Sequence, residues 1–226
     1  RTYVKVYEEE RELTVMLLID VSGSLEFGSE ERTQRDLVTE IAATLSFSAI
    51  RNNDKIGVLF FSDHVEKFIP PAKGKGHILR IIRELLTIRP TGKRTDIGGA
   101  LEYFMRVMRR QSVVFLLSDF VDDKDYSRPL AMARGRHDVV ALQVYDRRMS
   151  TLPDVGLMKW EDAETGHQQY VDTSSPAVRK AYAEHWQQRM NSLRNLLNRN
   201  RVDHVSINTA GDYIQSLKAL FAKRAR

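Results

Sequence analysis

Five oxygen-bearing side chains stand where they could hold a metal ion. Asp20, Ser22 and Ser24 fall in the run Asp20-Val21-Ser22-Gly23-Ser24, Thr95 in Lys93-Arg94-Thr95-Asp96, and Asp119 in Leu116-Leu117-Ser118-Asp119-Phe120. Oxygen donors without imidazole or thiolate suit a hard cation, Mg²⁺ first and Mn²⁺ or Ca²⁺ next. Two carboxylates balance a divalent charge, and three hydroxyls add dipoles but no charge. Such a set holds its ion less tightly than a cage of four carboxylates. It also leaves the ion electrophilic enough to take a carboxylate from outside. That describes a docking site better than a hydrolytic centre.

The elements around these residues explain how they could meet. Leu13–Asp20 and Ser112–Asp119 read as buried strands, each a short apolar run ending in a carboxylate. In open α/β sheets ligands bind beyond the carboxyl ends of the strands, so both Asp residues are expected on one edge. Thr95 precedes the helix expected from Ile97 to Arg110 and can reach the same rim. Further strands are expected at Lys55–Ser62, Asp138–Tyr145 and Val202–Ile207. His64–Ile69 should pair with the second strand through a turn near Asp63, before Pro70-Pro71, Gly74 and Gly76 break the chain. Helices are expected over Glu30–Ile50, His77–Ile88, Tyr126–Arg134 and Pro176–Asn200, the last with Val178, Tyr182, Trp186, Leu193 and Leu197 on one face. Asp212 should cap a final helix carrying Ile214, Leu217 and Phe221. A small hairpin is expected over 157–171, turning at Thr165-Gly166. Strands alternating with helices predict an α/β fold with a mostly parallel central sheet flanked by helices, in one domain over 1–226.

Composition narrows the function classes. Hydrophobic residues make up 42% and charged residues 29% of 226, a globular balance that excludes a disordered chain. There is no cysteine, which excludes thiolate metal sites and Cys nucleophiles. The apolar run Val15–Ile19 is far shorter than a membrane-spanning helix, and no secretory signal is visible. These absences fit a cytoplasmic setting. The chain begins at Arg1 rather than Met, as a piece of a longer protein would, which leaves room for an upstream anchor. Net charge is +5, and the excess lies after Ala177, where ten basic residues face three acidic ones. A solvated outer face on two helices is the first reading of this, and nucleic-acid binding through the basic C-terminal helices is an alternative that the scarcity of interleaved aromatics weakens.

At these residues the chain resembles the von Willebrand factor A domains. Asp20-Val21-Ser22-Gly23-Ser24 has the D-x-S-x-S form of their metal-ion-dependent adhesion site, and Thr95 and Asp119 follow in the order of its other two elements. The segment from Val4 through Ser24, Phe27-Gly28, the stretch around Asp119 and the run from Val171 to Tyr182 are more narrowly similar to an uncharacterised bacterial family. Its members are often encoded beside MoxR-type AAA+ ATPases. The resemblance implies a Rossmann-like sheet with the Asp20 and Asp119 strands adjacent. It also implies metal ligation by Ser22, Ser24 and Thr95 through hydroxyls, and by Asp20 and Asp119 directly or through water. The implied function is a non-enzymatic, metal-dependent protein-binding domain that docks an Asp or Glu of a partner, with a MoxR-type ATPase as candidate. Phe120 departs from the Gly common after this Asp in adhesive A domains.

Other readings stay open on sequence. An Asp followed by Ser and Gly also makes a turn and helix cap. Asp96 could be a further ligand or an N-cap, and Asp122, Asp123 and Asp125 could extend the metal rim or form a solvated loop. A metal-dependent hydrolase could use the same carboxylates, with Asp96 or the 122–125 loop supplying the base. Ser22 lacks a G-x-S-x-G elbow, the six His residues show no ligand spacing, and no P-loop is present.

Overall fold

The computed structural model describes residues 12–26, 32–161 and 168–224. Phe27-Gly28, the Thr165-Gly166 turn and the chain before Glu12 lie outside them. Six strands form the main sheet: β1 (Thr14–Asp20), β2 (Lys55–Phe61), β3 (Val65–Ala72), β4 (Val113–Ser118), β5 (Asp138–Tyr145) and, late in the chain, β8 (Asp203–Asn208). Their order is β3-β2-β1-β4-β5-β8, and only β3 runs antiparallel to its neighbour. A separate hairpin pairs β6 (Leu157–Glu161) with β7 (Gln168–Asp172).

The strands are apolar almost throughout because both sheet faces are covered, as parallel sheets require. Val15, Leu17 and Ile19 point to a layer made by α1 (Gln34–Arg51), α2 (Lys75–Thr87) and α6 (Tyr213–Arg224). Met16 and Leu18 point the other way, to α3 (Ile97–Val107), α4 (Ser127–Arg136) and α5 (Pro176–Arg199). Alternation along a seven-residue strand thus feeds two cores. The Asp212 carboxylate accepts from the N–H groups of Ile214 and Gln215 at 2.9 and 3.2 Å and opens α6, as expected.

Three expectations need correction. β3 continues through Pro70-Pro71 instead of stopping before them. It is an edge strand, where proline's missing N–H costs little, and its register with β2 slips between Ile56 and Val58. In α5 only Leu193 and Leu197 are buried, because the helix covers the sheet with its last turns only. Tyr182 meets the hairpin instead, its ring centroid 5.5 Å from that of Trp160. In α6 the second buried residue is Leu220, and Phe221 lies 40% exposed.

His137, one of the six histidines without ligand spacing, closes α4. Both of its ring nitrogens are buried without a hydrogen-bond partner among the described residues, and the ring sits 4.6 Å from that of Phe104. Burial, helped by the charge of Arg136, holds its pKa below the ordinary 6.5. The unfolded chain takes up a proton first, so this group's share of stability is complete above about pH 6.5. It is lost as pH falls from there through the folded pKa. His137→Leu should remove that component, so the variant gains on the parent by up to about 1.4 kcal/mol for each pH unit of acidification in that window. Urea denaturation of both proteins between roughly pH 7 and pH 5.5 reads the difference, and parallel curves would refute it.

Candidate metal centre

Strand order alone brings the two carboxylates together. β1 and β4 are neighbours at the point where the chain, having built one side of the sheet, returns to build the other. Ile19 pairs with Leu117, so Asp20 ends β1 beside Ser118 and Asp119 follows directly. The Ser118 hydroxyl donates to Asp20 Oδ2 at 2.6 Å and accepts from the Phe120 N–H at 2.9 Å. Phe120 has φ 58, the left-handed conformation that glycine adopts freely. The geometry favouring Gly is therefore retained with Phe in it, at a cost of about 1–2 kcal/mol that burial of the ring opposes.

The loop after β1 is held on both sides. Val21 N–H donates to the Phe61 carbonyl at 2.8 Å and Gly23 N–H to the Lys93 carbonyl at 2.9 Å. Asp20 Oδ1 accepts from the Ser22 N–H at 2.9 Å, an Asx turn that aims the serine back at the strand end. Thr95 Oγ1 donates to Ser22 Oγ at 2.9 Å, and Ser22 Oγ and Ser24 Oγ lie 3.1 Å apart. All five sequence-predicted residues therefore share the β1/β4 edge. Asp20, Ser22, Thr95 and Asp119 are each at most 5% exposed, and Ser24 is half-buried.

Glu66, on β3, was not legible as part of this arrangement. Its Oε1 accepts from Ser62 Oγ at 2.7 Å, Thr91 N–H at 2.9 Å and Gly92 N–H at 2.8 Å, and Oε2 from Thr91 Oγ1 at 3.0 Å. One carboxylate thus pins the loop that leads to Thr95. Burial pushes its pKa up, but those hydrogen bonds outweigh it and hold the group below the ordinary carboxylate range. The loop packs so closely that a Cβ on Gly92 would collide with Ser62 Oγ and Asp63 Oδ1.

Asp96 and Asp122 both serve the start of α3. Asp96 Oδ1 accepts from the Gly99 N–H and Asp122 Oδ2 from the Ile97 N–H, at 2.8 and 2.9 Å. Lys124 Nζ lies 2.6 Å from the other oxygen of Asp96. Asp125 accepts from the Ser127 N–H at 2.9 Å, in the turn before α4. The cap and loop readings hold for Asp96, Asp122 and Asp125, each of which accepts from a backbone N–H.

The electrostatics are those of a pair of buried like charges. Burial first, then the Asp119 charge, pushes the Asp20 pKa up to about 7. Burial also raises Asp119, against the Val121 N–H, which donates to its Oδ1 at 2.9 Å, and the nearby Ser24 hydroxyl. Asp119 Oδ2 is buried and finds no hydrogen-bond partner among the described residues. A buried, unbonded carboxylate oxygen is costly unless a cation or donor meets it. The donor set matches a hard divalent ion in charge and chemistry. It is a sparse set, however. Among the described residues no group of three or more His, Cys, Asp or Glu side chains is placed to hold a metal, so hydroxyls must supply the remaining donors.

This sheet order, with three helices on each face, is the von Willebrand A fold. The SpRpn10 VWA domain superposes with a TM-score of 0.51 at 11% identity, over 94% of this chain and 95% of that one. BatB from Bacteroides thetaiotaomicron gives 0.61 at 14% identity, over 94% and 98%. An aerotolerance-related membrane protein from Bacteroides fragilis gives 0.62 at 14%, over 93% and 96%. Residues 1–192 match the family described as protein of unknown function DUF58, and the chain belongs to that family. An uncharacterised protein of Mycobacterium tuberculosis, Rv1480, is 32% identical over 166 residues, 73% of this chain. The chain spans about half the length of that relative, 52%. Among the described residues no helix is long and apolar enough to cross a membrane.

Proposed function

We propose that this chain is a metal-ion-dependent docking domain that binds an acidic side chain of a protein partner. The observation that carries the reading is the buried Asp20–Asp119 pair with an unbonded Oδ2, closed over by the Thr95, Ser22 and Ser24 hydroxyls. A Mg²⁺-class ion would neutralise the pair and offer an open coordination position to an outside Asp or Glu. The chain's own residues fix the rest. Ser118 and the Ser22 N–H orient Asp20, and the loop pinned by Glu66 presents Thr95. With Asp96 and Asp122 engaged in capping, the arrangement supports binding rather than turnover. The resemblance of the sequence to proteins encoded beside MoxR-type AAA+ ATPases makes such an ATPase the first partner to test.

Calorimetric titration with Mg²⁺ and Mn²⁺ tests the site. Binding to the parent should vanish in a variant carrying both Asp20→Ala and Ser22→Ala, with far-UV circular dichroism unchanged. Equal binding by parent and variant would overturn the assignment. Metal-dependent turnover of a phosphate ester that Asp20→Ala abolishes would replace docking with hydrolysis.

A further inference from the structure

The structure places a cationic side chain, Arg189, near this edge of the sheet. Arg189 lies on α5, three residues after Trp186 and four before the buried Leu193, so it is on the face turned to the sheet. Its neighbour Met190 is tied to that edge, with Gln143 Nε2 3.2 Å from the Met190 sulfur. Gln143 pairs in register with Ser118, the residue before Asp119. About two turns earlier, Tyr182 donates to the Met149 carbonyl at 2.9 Å and fixes the preceding part of the helix. Arg189 is half-buried, yet its guanidinium makes no hydrogen bond or ion pair among the described residues. Its charge reaches Asp119, Tyr126 and Tyr182, opposing the upward pKa shift of each.

A half-buried guanidinium with no protein acceptor keeps its donors free for a group arriving from outside. We propose that Arg189 is part of the docking site and binds the partner's carboxylate alongside the metal. This rests on the docking reading and deepens it. The charge count supports it: Asp20 and Asp119 cancel a divalent ion, and Arg189 leaves one positive charge, matching a single Asp or Glu side chain. A guanidinium can hold the carboxylate oxygens in a forked pair, which fixes the orientation of the incoming group as well as its charge. The same positive charge repels a divalent ion when no carboxylate is present. Arg189 therefore favours the ternary complex over the metal complex.

Opposed effects make the test specific. The probes are Mn²⁺ alone, by calorimetry, and a blocked Gly-Asp-Gly peptide, by Mn²⁺-induced broadening of its NMR signals on the Mn²⁺-saturated protein. In Arg189→Gln, Mn²⁺ should bind about threefold tighter and the peptide about tenfold weaker. Arg189→Lys keeps the charge and loses the fork, so Mn²⁺ affinity should return to the parent's while peptide affinity stays reduced. A guanidinium that only reaches out to solvent would leave the peptide affinity unchanged, and that result overturns the proposal while docking at the metal stands. If both affinities fall together and thermal unfolding shows the variant intact, Arg189 supports the fold of the site and the proposal is likewise overturned. A parent that binds Mn²⁺ but no peptide, or neither, overturns the docking reading and this one with it.

Discussion

Mg²⁺ at a hundredfold excess over its dissociation constant is expected to stabilise the protein by about 2.7 kcal/mol. For a chain of 226 residues that raises the thermal midpoint by about 5–11 °C at pH 8. The reason is the state of the site without metal. Asp20 has an ordinary pKa of 3.8 and about 7 in the fold, so the folded form binds its proton more tightly than the unfolded one. Between those values stability falls as pH rises, and above about 7 the full penalty of a buried, repelled charge is present. A divalent ion reverses that penalty. Its stabilising effect should therefore be greatest above about pH 7 and fade on acidification, as protons compete for the same carboxylate. Asp20→Asn separates the two contributions. The amide oxygen can still accept from the Ser22 N–H, and its NH₂ can donate to Ser118 Oγ. Without metal at pH 8 the variant should be more stable than the parent by a few kcal/mol, and Mg²⁺ should no longer move its midpoint. Differential scanning calorimetry with and without chelator decides it. A variant that still responds to Mg²⁺ like the parent would sink the assignment of Asp20.

Much of this was legible because burial on both faces leaves a simple mark. Val15–Ile19 and Val113–Leu117 are apolar at every position, which an amphipathic strand would not be; the first run stops at Asp20 and the second one residue short of Asp119. Chemistry at a strand end is visible in sequence because the change from apolar to charged is abrupt there. Residues acting across the sheet are not. Ser118 reads as one more strand position until the β1–β4 register places its hydroxyl on Asp20. Glu66 lies 29 residues before Thr95 and acts only through a loop whose path the sequence does not specify. Arg189 looks like any basic residue on an exposed helix, and only the docking of the last turns of α5 turns it inward. The misread edge strand has the same origin. Pro70-Pro71 breaks a central strand, and nothing local says that β3 is at the margin.

Glu66 should also prove that the site depends on a residue outside the donor set. Glu66→Ala leaves the N–H groups of Thr91 and Gly92 and the Ser62 hydroxyl without their acceptor. Hydrogen bonds to a carboxylate are worth more than neutral ones, and part of this cluster lies open to water that can replace it. The expected loss of stability is about 2–3 kcal/mol, read by urea denaturation. The metal effect follows from geometry. The loop from Thr91 to Thr95 is joined to the site by Gly23 N–H to the Lys93 carbonyl and by Thr95 Oγ1 to Ser22 Oγ. Releasing its far end lets Thr95 drift, and a supporting residue of this kind typically accounts for about 10–100-fold in metal affinity. Glu66→Gln keeps an acceptor oxygen and should recover a large part of both losses. Since the folded pKa of Glu66 is depressed, its contribution is present above the ordinary carboxylate range and lost as pH falls through the folded value. The parent's advantage over Glu66→Ala should therefore shrink only in acid, well below the pH at which Asp20 begins to take up its proton. If Glu66→Ala loses stability as expected but binds Mn²⁺ as tightly as the parent, then β1 and β4 hold the site unaided, and the loop carrying Thr95 is incidental to it.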